Sequence, residues 1–104
     1  LPHLRKWLAG EPGNIGQNFL QLSSLVGGHQ DKAGVLRLLR TLAADHPAVA
    51  EAQLAVAQAA WNADDSAGAL AASRTALQLR PGWELAALFQ ARALQRDSAE
   101  RALA

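Results

Sequence analysis

The sequence predicts an all-α protein built from paired helices, and three observations support this. Alanine and leucine dominate the composition, while the β-branched and aromatic residues that favour strands are scarce. Pro47 and Pro81 each separate two stretches of helix-forming residues and lie 34 residues apart. Sliding the chain by 34 residues also aligns Leu20 with Leu54 and Leu88, Asp31 with Asp65, Ala33-Gly34 with Ala67-Gly68, Leu36 with Leu70, and Arg40-Thr41 with Arg74-Thr75. Matches that recur at one offset indicate a repeat.

Each repeat unit is predicted to contain a helix, a short turn, a second helix and a break. Residues 1–14 are expected to hold the second helix of a unit whose first helix is missing, over residues 2–9, followed by a Pro-Gly break. Unit 1 (15–47) has predicted helices at 15–26 and 32–44, and unit 2 (48–81) at 48–61 and 66–79. Unit 3 (82–104) opens at Trp83, turns at Arg96-Asp97 and continues as a helix from residue 98. Together these units form one domain covering residues 1–104.

Aspartates stand at the start of the second helices. Asp31 and the Asp64-Asp65 pair can accept hydrogen bonds from free backbone amides there, and Asp97 with Glu100 has the spacing of a capping box. A unit of two helices cannot bury its apolar faces alone, so neighbouring units are expected to stack. Trp83 directly follows the Pro81-Gly82 break, and we expect it to pack across the junction between two units.

A 34-residue helix-turn-helix unit with a proline near its end resembles the tetratricopeptide repeat. With Pro47 and Pro81 at the family's proline position, the small residue at the helix crossing becomes Ser23, Ala57 and Ala91 in turn. The chain departs from the family's pattern at two positions of the first helix. Where the family usually has Trp, the three units have Phe19, Gln53 and Ala87, and where it usually has Tyr they have Val26, Ala60 and Leu94. The resemblance implies a right-handed superhelix of stacked helix pairs. The Ala/Leu-rich run from Leu77 to Arg96 is also similar to repeat proteins of proteobacteria, several of which are exported envelope proteins.

Tetratricopeptide arrays bind protein segments in a concave groove lined by their first helices, and the resemblance implies a non-catalytic scaffold or adaptor of this kind. The alternative is a structural spacer or oligomerisation segment of a larger protein. The family's register places these residues in the groove: Gln17, Leu20, Gln21, Ser24, Glu51, Leu54, Gln58, Trp61, Asn62, Leu85, Leu88, Phe89, Arg92, Gln95 and Arg96. Arg92 and Arg96 are expected to favour a ligand with an acidic or free C-terminal end. The carboxylate clamp of chaperone-binding members is not expected, because its positions hold Leu20, Ser24 and Ala55.

Catalysis, metals and nucleic acids are not expected from the residues present. The chain has no cysteine, and His3, His29 and His46 are scattered without carboxylates at metal-ligand spacing. Asp45-His46 stands at a helix end, where both residue types meet exposed backbone groups. The formal net charge of +1 offers no strong field for nucleic acid or an acidic membrane surface, and no apolar run is long enough to span a membrane. We therefore expect no cofactor and a protein or peptide partner.

The ends of the chain predict association. The sequence lacks an initiating methionine, so we expect it to be part of a longer protein. Apolar residues near both ends, namely Leu1, Leu4, Trp7, Leu8, Leu94 and Leu103, are expected to be exposed without the polar caps that end such arrays. We therefore expect weak self-association.

Overall fold

The computed structural model describes residues 15–103, which form five α-helices and no strand. The helices are α1 (Ile15–Val26), α2 (Lys32–Ala44), α3 (Ala50–Asn62), α4 (Ser66–Leu79) and α5 (Glu84–Leu103). The all-α prediction is confirmed for this part of the chain. The helix predicted over residues 2–9 lies outside the described residues.

The predicted aspartate caps are present at the start of both second helices. Asp31 accepts a hydrogen bond from the Gly34 backbone N–H at 2.9 Å, and Asp65 accepts one from the Gly68 N–H at 2.9 Å. A Cβ atom at either glycine would overlap the capping carboxylate, which explains why the glycine recurs with the aspartate in both units. Each cap satisfies an amide that the helix cannot pair internally.

The turn between α3 and α4 uses the hydrogen bonds that commonly end helices. The Asp65 N–H donates to the Ala60 carbonyl at 2.8 Å and the Asp64 N–H donates to the Trp61 carbonyl at 3.1 Å. Asp64 has φ of 61°, a left-handed conformation that aspartate tolerates better than most residues. This compact turn places the Asp64 side chain at the end of α3, where it meets α5.

Two proline turns precede α3 and α5. The Val49 N–H donates to the His46 carbonyl at 3.1 Å, and the Trp83 N–H donates to the Arg80 carbonyl at 3.4 Å, so proline occupies the second position of each turn. The first turn uses the residues after Pro47, and α3 therefore begins at Ala50 rather than at the predicted residue 48. Trp83 packs with α3, α4 and α5 residues, which confirms the predicted contact across the junction.

Gly82 holds the second proline turn with φ of 82°, a conformation that costs an L-residue energy. We expect Gly82→Ala to lower the free energy of unfolding by about 1 kcal/mol. Gly28 is a matched control, since a Cβ there also meets open space but its φ is outside the left-handed region. Urea unfolding should therefore show Gly28→Ala as neutral or slightly stabilising. Equal losses for the two variants would contradict this explanation.

Helix α3 is the centre of the described fold, since it packs against each of the other four helices. Its inner face is mostly alanine, and Ala52, Ala55, Ala57 and Ala60 are fully buried. Larger side chains from α1 and α2, including Phe19, Leu39 and Leu42, complete the main core. A second cluster joins Leu54 of α3 with Ala76 of α4 and Ala86 of α5. Small residues on α3 thus allow its neighbours to approach closely.

Helix α5 runs without interruption from Glu84 to Leu103, so the predicted turn at Arg96-Asp97 is wrong. Asp97 does not cap a new helix but is buried within α5, where its carboxylate pairs with Arg101 at 3.0 Å. Residues 97–103 have no glycine, asparagine or proline to break the helix. Arg96 and Glu100 contact the α3–α4 turn, and these contacts stabilise the continuation of α5 beyond Arg96.

Among the described helices, none is both long and apolar enough to cross a membrane. Helix α3 contacts both α1 and α5, while α5 packs mainly against α4. Stacking of these helices into a solenoid stays a prediction, and so does the right-handed superhelix.

Candidate functional site

The predicted groove residues lie on α1, α3 and α5, and contacts between these helices hold them together. The Ser23 hydroxyl on α1 donates to the Gln58 side-chain oxygen on α3 at 2.6 Å. The Trp61 ring on α3 meets the Phe89 ring on α5 edge to face, with centroids 6.4 Å apart. Each contact joins two helices that the repeat predicts to be first helices of successive units. The two contacts therefore link α1 to α3 and α3 to α5.

Leu54 does not belong to the exposed part of this surface. Its side chain is fully buried in the cluster with Ala76 and Ala86, and Leu20, Trp83 and Phe89 pack around it. The predicted contact of Leu54 with a partner therefore has no support in the structure, and this residue acts as a packing anchor between α3, α4 and α5. Its repeat equivalent Leu88 is 47% exposed, because no later helix covers α5 among the described residues.

Glu51 is also engaged within the protein. Its carboxylate accepts a hydrogen bond from Arg80 at 2.7 Å and is largely covered. The same Arg80 guanidinium lies 4.4 Å from the centroid of the Trp83 ring. A Cβ atom at Gly16 would overlap the Glu51 carboxylate, so the glycine allows α1 and α3 to approach at this point. Glu51 thus holds the start of α3 to the end of α4.

Arg96 contacts both the ring and the turn at the end of α3. Its guanidinium lies 4.6 Å from the Trp61 ring centroid and donates to the Trp61 carbonyl at 3.2 Å. It also donates to Asp64 at 2.5 Å and lies 3.4 Å from Glu100. The Ser66 hydroxyl donates to the other Glu100 oxygen at 2.5 Å. We call Trp61, Asp64, Ser66, Arg96 and Glu100 the turn clamp, because they join the α3–α4 turn to α5.

The turn clamp changes the interpretation of the two arginines. The sequence predicts a ligand contact for Arg96, but its charge is already paired with two carboxylates of the chain. Arg92 is exposed and forms no hydrogen bond or ion pair with the described residues. Sequence reasoning missed that Asp64, Ser66 and Glu100 join α5 to the turn. The available signal was that Ser66 and Glu100 lie 34 residues apart, which is one repeat length.

The remaining predicted residues form a surface of mixed chemistry. Leu20, Gln58, Trp61 and Phe89 are half-buried at its floor. The exposed members are Gln17, Gln21 and Ser24 of α1, Asn62 of α3, and Leu85, Leu88, Arg92 and Gln95 of α5. We call these twelve residues the first-helix surface. It is uncharged apart from Arg92, so its polar groups are mainly amides.

Several cavities lie away from the centre of the first-helix surface. One of about 360 Å³ lies between α2 and α4 and is lined by residues that include Arg40, Gln53 and Thr75. Another of about 340 Å³ lies where α1, α3 and the end of α4 meet, and includes Gln17 and Glu51. A further cavity of about 240 Å³ lies at the α1–α2 turn. The sequence did not predict the cavity between α2 and α4, because the alanine and glycine residues in its lining indicate only that helices pack closely there.

Titratable groups are not gathered into a reactive site within residues 15–103. No group of three His, Cys, Asp or Glu residues in this range could hold a metal ion. His29 accepts a hydrogen bond from the Asp31 backbone N–H, and the His46 ring packs edge-on against Phe19 with centroids 5.8 Å apart. Both described histidines thus have local structural roles, while His3 lies outside the described residues.

Comparison of the chain with known protein families, with curated proteins and with solved structures found no match. Its function is therefore inferred from the repeat and from the geometry of its surfaces.

Proposed function

We propose that this chain is a non-catalytic interaction module in which tetratricopeptide-like units stack in a right-handed array and bind a protein segment across the first-helix surface. One observation carries the proposal: α1, α3 and α5 pack in sequence and present exposed amide and apolar side chains from the first helices of successive units. The surface carries only one charge, that of Arg92, and this scarcity of charge supports a binding role over that of a purely solvated helix face.

The side chains of this surface suit an extended peptide. Gln17, Gln21 and Asn62 offer hydrogen-bond donors and acceptors to a peptide backbone, in which each residue other than proline has one N–H donor and one carbonyl acceptor. Leu85 and Leu88 offer apolar contact at the α5 end, and Arg92 adds a cation beside them. A segment with apolar residues followed by an acidic group or free carboxylate would place its negative end at α5.

The location of the site can be tested in cells by photo-cross-linking. A photoreactive residue at Gln21 or Leu88 reports on the first-helix surface, while one at Arg37 or Arg74 reports on the exposed side of α2 or α4. All four positions are exposed, so the substitutions should leave the core unchanged. We expect one shared cross-linked partner from Gln21 and Leu88 and none from the other two positions. Cross-links only from positions 37 and 74 would show that the partner binds α2 and α4 and not the first-helix surface.

Arg92→Ala tests the expected ligand charge. Because Arg92 forms no pair with the described residues, its removal should leave thermal stability unchanged. A partly desolvated ionic contact contributes roughly 1.5 kcal/mol, so affinity for a cross-linked partner should fall about tenfold at low salt. The difference from the unmodified protein should shrink as salt is raised. Unchanged affinity at all salt concentrations would show that the partner is recognised by its apolar and amide contacts alone.

A further inference from the structure

The exposed side of α5 has an apolar stripe that no other described helix covers. The stripe consists of Ala87, Ala91, Leu94 and Ser98, which follow one another at intervals of three or four residues and therefore share one helix face. All four are exposed, and Leu94 is 45% exposed. We call them the outer stripe. It lies beside the first-helix surface of α5 but does not include its residues.

The preceding repeat shows what covers this face elsewhere in the chain. One repeat earlier, the equivalents of Ala91 and Leu94 are Ala57 and Ala60 on α3, and both are fully buried. They belong to the main core, to which α4 contributes Ala69, Leu70 and Ala72. Of the described helices, α4 packs most closely against α3. A three-residue turn brings α4 back along α3, whereas α5 continues straight past the equivalent point. The outer stripe is therefore a helix-binding face without its helix.

The charges at the two ends of the stripe indicate which helix fits. Glu84 lies on the same face one turn before Ala87, and Arg101 lies on it one turn after Ser98. Arg101 pairs with Asp97 within α5, but its side chain is well exposed and can also meet a carboxylate of a second copy. No charged residue occupies the face between them. If a copy of α5 lies antiparallel so that the midpoints of the two outer stripes coincide, Ala91 faces Leu94, Ala87 faces Ser98, and Glu84 faces Arg101. Leu94, the one large residue of the stripe, then meets the small Ala91 in both halves of the pair, and opposite charges meet at both ends.

From this complementarity we infer that the outer stripe binds the outer stripe of a second copy of this chain, forming a symmetric antiparallel α5–α5 pair. The second copy takes the position that α4 has on α3. A twofold axis between the helices makes both contacts identical, which is the commonest arrangement of protein dimers. Antiparallel helices also oppose their dipoles favourably. Since α5 is about 30 Å long, the contact is small, and the dimer should be weak and reversible.

This inference is independent of the proposed function, because Leu85, Leu88 and Arg92 of the first-helix surface lie on a different flank of α5. Sedimentation equilibrium over rising concentration should show a reversible monomer–dimer transition for the unmodified chain. Ala91→Arg should raise the dissociation constant at least tenfold while circular dichroism stays unchanged. Leu25→Arg is the matched control, since Leu25 is 72% exposed on α1 at the other end of the described fold, and it should leave dimerisation intact.

A charge exchange tests the antiparallel geometry directly. Glu84→Lys alone places an ammonium group opposite Arg101 at both ends of the pair, and Arg101→Glu alone places two carboxylates opposite each other. Arg101→Glu also removes the ion pair with Asp97, so circular dichroism must show that this variant stays folded. Each variant alone should therefore dimerise more weakly, whereas an equimolar mixture should form heterodimers in which both ends are again oppositely charged. A constant monomer mass for the unmodified chain at all concentrations would overturn the inference. Loss of the dimer in Leu25→Arg but not in Ala91→Arg would also overturn it. So would a mixture of Glu84→Lys and Arg101→Glu that dimerises no more tightly than either variant alone.

Discussion

Leu54→Ala should lower the free energy of unfolding by about 2–5 kcal/mol, whereas Leu88→Ala should change it by less than about 1 kcal/mol. The two leucines occupy the same position in successive units. Leu54 is fully buried in the cluster with Ala76 and Ala86, against which Trp83 and Phe89 also pack, so its truncation leaves a cavity between α3, α4 and α5. Leu88 is about half exposed, and solvent replaces its lost contacts.

Thermal unfolding followed by circular dichroism measures both changes. For a chain of this length the loss at Leu54 should lower Tm by at least about 10 °C. The pair controls for residue type, helix position and change in volume, so only burial differs. Similar shifts in Tm for the two variants would show that the packing of α5 against α3 and α4 is not as the structure describes. The result also decides how binding variants are chosen, since substitutions at Leu54 would unfold the site they are meant to test.

Arg96→Ala should lower the free energy of unfolding by about 2–3 kcal/mol, since it removes the centre of the turn clamp. The loss combines the contact with the Trp61 ring, the hydrogen bond to the Trp61 carbonyl and the ion pairs with Asp64 and Glu100. A half-buried cation over an aromatic ring contributes about 1 kcal/mol, and a charged hydrogen bond to a backbone carbonyl contributes somewhat more. The ion pair with the well-exposed Asp64 adds little.

Arg92→Ala is the matched control, because Arg92 is on the same helix but exposed and forms no ion pair with the described residues. Urea unfolding should place it within about 0.5 kcal/mol of the unmodified chain. Arg96→Lys should recover only part of the loss, since a single ammonium cannot reach the carbonyl and both carboxylates in the planar arrangement of a guanidinium. Equal stability of the two alanine variants would mean that Arg96 is available to a ligand, as the sequence alone predicts.

Local chemistry made much of the fold predictable. The bounds of α1, α2 and α4 agree with the prediction because strong signals lie at their ends: Gly27-Gly28 after α1 and the aspartate caps before α2 and α4. Those signals act within a few residues and do not depend on the rest of the chain. The predicted start of α3 is two residues early, because a proline turn needs two further residues before the helix can begin.

The continuous α5 could not be predicted from the repeat. The alignment places Asp97 where a turn occurs in unit 2, but it cannot show that Arg96 and Glu100 are held by the α3–α4 turn. In unit 2 the turn depends on Asp64 in a left-handed conformation, and the equivalent residue in α5 is Ser98, which tolerates that conformation less well. The capping Asp65 and its Gly68 likewise correspond to Ala99 and Ala102, so the helix-start signal of unit 2 is also missing. Tertiary contacts and these residue differences together favour a straight helix.

The site could be predicted only in part, because burial depends on neighbours that a repeat alignment treats as identical. Leu20, Leu54 and Leu88 share one repeat position, yet they are half-buried, buried and exposed in turn. Their differences come from the number of helices that pack on each side of α1, α3 and α5. Residues such as Gln21 and Gln95 are exposed because few of the described helices cover α1 and α5.

The central position of α3 has a consequence for how the chain loses structure. In a long array each unit contacts only its neighbours, so the ends can open while the interior persists. Here α3 contacts all four other described helices, and none of the strongest contacts avoids both α3 and α4. Opening of α1 or α5 would leave a folded remainder, but opening of α3 would remove the main support of α1, α2 and α4 at once. Residues 15–103 should therefore unfold in one cooperative transition, and α1 and α5 should fray before that transition begins.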